Sequence, residues 1–186
     1  VLSGLLLNVA LYAVVRCKVL VEGSLQTSFA KELMMGFGLL SVVVAAFLLS
    51  RQKDIKRMFA YSSIEHMGII TFAFGMGGPI ANFAGLLHMT VHSLTKSAIF
   101  FAVGHASQKS GSQLMDDIRG LVTISPTIGW GLMMGTLAIL GMPPFGVFAS
   151  EFLILTTAMQ EQPWATPILL GALGIAFAAI FGRVQS

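Results

Sequence analysis

The chain has 186 residues, of which 55% are hydrophobic and only 10% are charged. Soluble domains carry charge on roughly 25% of their residues, so most of this chain's surface must face lipid. The net charge of +3 comes without a basic, aromatic-rich patch, which argues against nucleic-acid binding, and the single cysteine excludes disulfides and cysteine-based metal clusters within the chain.

Six apolar runs predict helices that cross a hydrocarbon core of about 30 Å, which takes about 20 helical residues. In chain order they cover 1–15, 33–50, 58–76, 79–104, 122–159 and 164–182. The pattern predicts an all-α integral membrane protein, a polytopic bundle of about six transmembrane helices forming one transmembrane domain over 1–186. The chain starts inside an apolar run, without a methionine or signal-peptide features, so we expect it to be an internal part of a longer protein.

The basic residues of the loops predict an orientation in the membrane, because cytoplasmic loops carry an excess of lysine and arginine. Seven basic residues fall on one side: Arg51, Lys53, Lys56, Arg57, Lys109, Arg119 and Arg183. Only Arg16, Lys18 and Lys31, assigned here to loops, fall on the other side. The RQKDIKR loop is therefore expected to be cytoplasmic.

The fifth run is too long for one straight span and contains the sequence GMPPFG. Its two prolines remove backbone donors and clash with the preceding turn, so a helix break is predicted at Gly141, Pro143, Pro144 and Gly146. Broken helices at membrane depth are common in transporters, where protein or water satisfies the freed backbone groups. A simple kink in a packed helix is the alternative.

Within the predicted spans the ionisable side chains are few: Glu65, His66, His88, His92, Lys96 and Glu151. Charged groups at a helix centre cost about 2.5 to 3.5 kcal/mol on insertion scales, so these side chains must face one another or water. Intramembrane ionisable residues usually mark ion pathways or proton relays. The set therefore favours a functional site.

Helix geometry places these groups in a line across the membrane. Glu65 and Lys96 each lie eight residues, about 12 Å, from the same end of neighbouring antiparallel helices, which allows an ion pair. His92 and His88 follow Lys96 along one stripe at about 6 Å per step, and Glu151 follows the break. Because histidine titrates near neutrality, this line suits proton movement, with water bridging the steps.

Other readings of the same residues are weaker. His88 and His92 have the i, i+4 spacing of metal ligands, but no carboxylate or thiolate on their helix completes a site, so no metal is expected. Two histidines one turn apart cannot bind opposite faces of a haem iron. No nucleophile, kinase or phosphate-loop constellation is present.

Three stretches carry a resemblance to a known family: DIKRMFAYSSIEHMG, LLHMTVHSLTKSAIFF and LAILGMPPFGVFASEFLIL. In this order and spacing they resemble the antiporter-like, proton-conducting membrane subunits of respiratory complex I, of related hydrogenases and of Mrp-type antiporters. The sequences SIEHMG and GMPPF are most similar to the hydrogenase 4 branch of this family, which comprises membrane-bound [NiFe] hydrogenases of the formate hydrogenlyase type. The resemblance implies the later part of a fold with inverted repeats.

The resemblance also implies roles for individual residues. Lys96 is similar to the central lysine of a half-channel, with His88 and His92 beside it, and Glu151 to the terminal group, which is lysine or glutamate in relatives. Asn8 stands where several relatives carry lysine, which puts a charge relay through the first helix in doubt. Glu65 would modulate Lys96.

Together these features lead us to expect a proton-translocating subunit of a redox-driven complex in a bacterial or archaeal cell membrane. Its partners would be other membrane subunits and peripheral hydrogenase or oxidoreductase subunits, which would hold the NiFe centre and iron–sulfur clusters, with no cofactor in this chain. The alternatives are a stand-alone Mrp-type Na⁺/H⁺ antiporter subunit and a non-conducting scaffold for a peripheral redox module.

Overall fold

The fold was obtained as a computed structural model, which describes residues 2–25, 28–118 and 120–184. Val1 and Arg119, which entered the span and charge predictions, lie outside the described residues. The described part contains helices and no strand. After a π-helical turn at Leu2–Leu6, the α-helices are α1 (Leu7–Leu25), α2 (Phe29–Ser50), α3 (Ile55–Met76), α4 (Gly78–Ser110), α5 (Leu121–Ile124), α6 (Pro126–Ile139), α7 (Gly146–Glu161) and α8 (Thr166–Val184), with a 3₁₀ turn at Met115–Asp117.

The all-helical membrane fold predicted from composition is confirmed, with differences in the extent of the spans. Four helical segments of the described chain are long and apolar enough to cross a membrane: Gly4–Ser24, Phe29–Ser50, Gly78–Ser110 and Thr166–Val184. Helix α3 has 22 residues but is less apolar, and α6 is a shorter apolar helix.

The first predicted span was placed too early. Helix α1 continues through Arg16, Lys18 and Glu22 to Leu25, so these residues lie in a helix and not in a loop. Arginine, lysine, leucine and glutamate are good helix formers, and nothing between Val15 and Glu22 stops a helix. Lys18 is consequently a buried membrane residue, only 8% exposed.

The break in the fifth predicted span is confirmed. Helix α6 ends at Ile139 and α7 begins at Gly146, and the intervening backbone turns at Gly141 with a φ of +65°. This conformation is open to glycine and strained for other residues.

Local signals fix the ends of α3. The Asp54 carboxylate accepts a hydrogen bond from the Arg57 backbone N–H at 3.0 Å, which satisfies one free donor of the first turn. At the other end, Gly77 and Gly78 both take positive φ values and reverse the chain directly into α4. The two helices are therefore antiparallel neighbours, as their short connection predicted.

Close helix contacts hold the bundle together. Helix α2 packs along α3 so closely that a Cβ atom added to Gly38 would lie 2.6 Å from the Phe72 backbone nitrogen. Helix α4 runs through the bundle and contacts α3, α6 and α7. The polar stripe of α4, formed by His88, His92 and Lys96, therefore faces α3 on one side and the broken helix, α6 and α7, on the other.

Candidate functional site

The polar stripe of α4 lies wholly inside the protein. His88, His92 and Lys96 are each fully buried, although α4 carries exposed apolar residues elsewhere, such as Leu94 at 70%. A buried polar group is costly unless it finds a partner. The partners come from α3 and α7.

His66 of α3 and His88 of α4 are joined by a direct hydrogen bond, with His66 Nδ1 3.0 Å from His88 Nε2. The other nitrogen of His88, Nδ1, lies 2.9 Å from the Ser150 hydroxyl of α7. That hydroxyl also lies 2.9 Å from the Val147 carbonyl of its own helix. The His66, His88 and Ser150 side chains thus form a continuous hydrogen-bonded line, in which the tautomers of the two imidazoles decide the direction of each bond.

Glu151 extends this network beyond His66. Its Oε1 atom lies 3.6 Å from His66 Nδ1, longer than a hydrogen bond but within ion-pair distance when the imidazole is charged. The helix break makes room for this carboxylate, since a Cβ atom at Gly141 would overlap it. The break therefore positions Glu151 next to the backbone turn.

Lys96 does not bond Glu65, the group with which an ion pair was allowed, but a backbone carbonyl. Its Nζ atom donates to the Phe59 carbonyl of α3 at 2.8 Å and lies 5.4 Å from the centre of the Phe59 ring. Across the described residues, no ion pair within 4.0 Å joins Lys96 to Glu65. The direct ion pair that the helix depths allowed is thus not formed, because helix depth does not fix the direction of a side chain. Glu65 nevertheless interacts electrostatically with Lys96 and also with Glu151.

His92 completes a cluster of three imidazoles. Its ring centre lies 5.4 Å from that of His66 and 6.5 Å from that of His88. Neither of its nitrogens has a hydrogen-bond partner among the described residues. The sequence predicted a line along α4, whereas in the structure His66 of α3 reaches both α4 histidines.

A cavity of about 290 Å³ adjoins the cluster and is lined by Ser62, Glu65, His66 and Glu151, with apolar residues of α8 on its far side. Because one water occupies about 30 Å³ in the liquid, this space is large enough for several waters. In the part of the chain that the structure describes, the Ser62 hydroxyl and Glu65 Oε1 are buried without a hydrogen-bond partner. Water in this cavity would satisfy both and connect Glu65 to Glu151.

Asn8 of α1 contacts the opposite side of α4. Its amide donates to the Met89 carbonyl at 3.2 Å and to the Ser93 hydroxyl. The π-helical turn before α1 also approaches the Lys96 side chain, since a Cβ atom at Gly4 would lie 3.7 Å from Lys96 Cβ. Asn8 therefore ties α1 to the helix that carries Lys96.

Sequence comparison decides what kind of protein carries this cluster. Residues 1–178 match the family described as NADH:quinone oxidoreductase/Mrp antiporter, transmembrane. The chain belongs to this antiporter family.

The chain is also similar to a curated protein and to chains of solved membrane complexes. The chain is 55% identical over 180 residues to the hydrogenase-4 component F homolog of Methylacidiphilum infernorum, covering 97% of this chain and 38% of that protein. A chain of the membrane-bound sulfane sulfur reductase, an archaeal respiratory membrane complex, is 31% identical with a TM-score of 0.80 over 85% of this chain and 33% of its own. A chain of the Mrp complex from Dietzia sp. shares the fold, with a TM-score of 0.83 over 98% of this chain and 34% of its own, at 18% identity.

The antiporter-family chain thus spans between a third and two fifths of the length of these relatives. Its fold and its membrane character are those of antiporter-like subunits, and it crosses the membrane more than once.

A metal site was not expected because α4 alone lacks a third ligand, but other helices supply one. Ligand atoms of His66, His88 and Glu151 lie within 4.8 Å of one another, and these residue types bind transition metals. The facing nitrogens of His66 and His88 already satisfy each other through their hydrogen bond. A metal ion that used both of these nitrogens would have to break this hydrogen bond.

Two contributors to the site, and one buried cation outside it, were missed from the sequence. Ser150 and the Phe59 carbonyl carry no ionisable group, so no pattern pointed to them. Lys18 was assigned to a loop, although helix propensity through Arg16 to Glu22 could have extended α1.

Proposed function

We propose that this chain carries part of the proton pathway of an antiporter-like subunit in a redox-driven membrane complex of the hydrogenase 4 type. The observation that supports this most directly is the hydrogen-bonded line from His66 through His88 to Ser150, with Glu151 at 3.6 Å from His66. Imidazole and carboxylate groups that are buried together at membrane depth suit stepwise proton transfer.

Each residue has a distinct task in this proposal. Lys96 is the central proton carrier, because its amine is fully buried and held by a carbonyl instead of a permanent counter-ion. His92 and His88 connect it to His66, with water completing the step at His92, whose nitrogens find no partner within the described ranges. Glu151 receives protons from His66, and Glu65 modulates Lys96 through their electrostatic interaction.

The complex that supplies the driving force is proposed from similarity. The 55% identity to a hydrogenase-4 component F homolog supports a hydrogenase of the formate hydrogenlyase type, related to NADH:quinone oxidoreductase. Partner subunits would then hold the NiFe centre and the iron–sulfur clusters. We place the chain as one segment of the proton-conducting domain in a bacterial or archaeal cell membrane, with the RQKDIKR loop in the cytoplasm.

Replacing Lys96 in the full-length protein, within its complex, tests the proposal. In vesicles containing the reconstituted complex, Lys96→Met should abolish proton translocation while leaving the subunits assembled, because methionine keeps the volume and removes the carrier. Lys109→Met is the matched control: Lys109 lies on the same helix but is exposed and bonds only the Ser125 hydroxyl in the described structure. Wild-type translocation by Lys96→Met would refute the assignment.

The same vesicles separate the alternatives. A stand-alone antiporter would exchange Na⁺ for protons without electron transfer. A scaffold would leave translocation unchanged in both the Lys96→Met and Glu151→Gln variants.

A further inference from the structure

A second buried polar region lies on the α1 side of α4, away from the histidine cluster. It is a cavity of about 370 Å³ whose lining combines the polar side chains of Tyr12, Lys18, Glu22, Lys31 and Asn82 with apolar ones, among them Val15, Phe74, Leu86 and Met89. It extends to the turn between α3 and α4, at the opposite end of α3 from the RQKDIKR loop.

Lys18 is the buried cation of this cavity. Its Nζ atom donates to the Phe74 carbonyl at 2.5 Å and lies 3.7 Å from Glu22 Oε1. Lys31 converges on the same place: the Nζ atoms of Lys31 and Lys18 lie 3.7 and 4.0 Å from the position that a Cβ atom of Gly77 would occupy. Groups from α1, α2 and α3 therefore meet at Lys18.

The inner end of the cavity reaches the helix of the central lysine. Met89 lines the cavity, and its carbonyl accepts the hydrogen bond from Asn8. Asn8 also bonds Ser93, which is one turn before Lys96 on α4. Polar contacts thus lead from Met89 at the cavity through Asn8 to Ser93, one turn before Lys96, without passing through the histidines.

A buried acceptor without a hydrogen bond lies beside this region. Asn8 is 8% exposed, and among the described residues its Oδ1 atom has no hydrogen-bond partner. Glu22 Oε1 is also buried, with Lys18 Nζ as its ion-pair partner at 3.7 Å. Buried acceptors of this kind are normally satisfied by ordered water, and 370 Å³ provides space for several molecules.

We propose that this cavity is a water-filled vestibule, open at the α3–α4 turn, and that Lys18 carries protons between the vestibule and Lys96. The proposal of a vestibule depends only on the geometry described above, whereas the proposed role of Lys18 also rests on the proposed function. The competing role for Lys18 is structural. Its amine bonds a carbonyl in the last turn of α3, and its positive charge is attracted to the negative end of that helix's dipole.

Two substitutions at Lys18 separate these roles in the reconstituted full-length complex. Arginine donates a hydrogen bond to a carbonyl as lysine does, but it does not release its proton. Lys18→Arg therefore keeps the hydrogen bond to the end of α3 and removes the group that could carry a proton. We expect Lys18→Arg and Lys18→Met both to lower translocation by about tenfold. Arg16→Met, which removes an exposed cation two residues away, should leave it unchanged. Wild-type translocation by Lys18→Arg would overturn the role of Lys18.

Cysteine labelling tests the vestibule without depending on translocation. In a Cys17→Ser background, which removes the chain's single cysteine, Met89→Cys should react with a membrane-impermeant thiol reagent added from one side of the membrane. Leu94→Cys, on the same α4 but pointing away from the cavity, should not react. Absence of labelling at Met89→Cys from either side would overturn the vestibule, whatever the Lys96 and Lys18 variants do.

Discussion

His66 and His88 come from adjacent helices, yet their facing ring nitrogens lie 3.0 Å apart. This contact joins α3 to α4 at the level of the buried charges. Ser150 bonds the far side of His88, so a single hydroxyl on α7 holds the His88 ring in place.

Removing that hydroxyl should therefore slow proton translocation. Ser150→Ala leaves His88 Nδ1 without its hydrogen-bond partner, at a cost of about 1 to 3 kcal/mol for an unsatisfied buried polar group, and frees the ring to move. Thr156→Ala removes a hydroxyl that bonds only its own helix in the described structure and is the control. Equal translocation rates in the two variants, measured in reconstituted vesicles, would contradict the role of Ser150 in holding His88.

His92 should contribute through water, since its nitrogens have no protein partner among the described residues. We expect His92→Phe to lower the translocation rate because the ring shape is kept and the proton-exchanging nitrogens are lost. His105→Phe alters an exposed histidine on the same helix and should have no effect. If the two variants pump equally well, His92 serves only to pack the bundle.

Gly141→Ala should damage both the helix break and Glu151. The positive φ at this position costs a non-glycine residue about 1 to 3 kcal/mol, and the new methyl group would overlap the Glu151 carboxylate. Thermal unfolding of the purified protein and proton translocation should both decline. Gly131→Ala, in open space on α6, is the comparison, and equal melting temperatures for the two would argue against the described turn.

The contact between α2 and α3 should be equally sensitive. Gly38→Ala places a Cβ atom 2.6 Å from the Phe72 backbone, and overpacking of this kind typically costs 1 to 3 kcal/mol. Gly36→Ala lies on the same helix with nothing within 4 Å, and the helix preference of alanine should stabilise it by up to about 1 kcal/mol. Opposite shifts in melting temperature are therefore expected, and shifts of the same sign would count against the close packing.

Periodicity and composition were sufficient for much of this structure. They predicted the helices, the break at Gly141 and the shared stripe of His88, His92 and Lys96, because these follow from local backbone rules. They did not predict which partner each side chain contacts. Lys96 bonds a backbone carbonyl instead of Glu65, since a carbonyl leaves no signature in the sequence. The proposed roles of these residues stay predictions.

The length of α4 has a mechanical consequence. Its 33 residues extend about 50 Å at 1.5 Å per residue, whereas the hydrocarbon core is about 30 Å thick. The polar last turns, with His105 and Lys109, therefore project into the aqueous phase as a rigid continuation of the helix that holds Lys96. Because the same helix carries His88, any displacement of this protruding end along the helix axis would alter the 3.0 Å contact between His66 and His88.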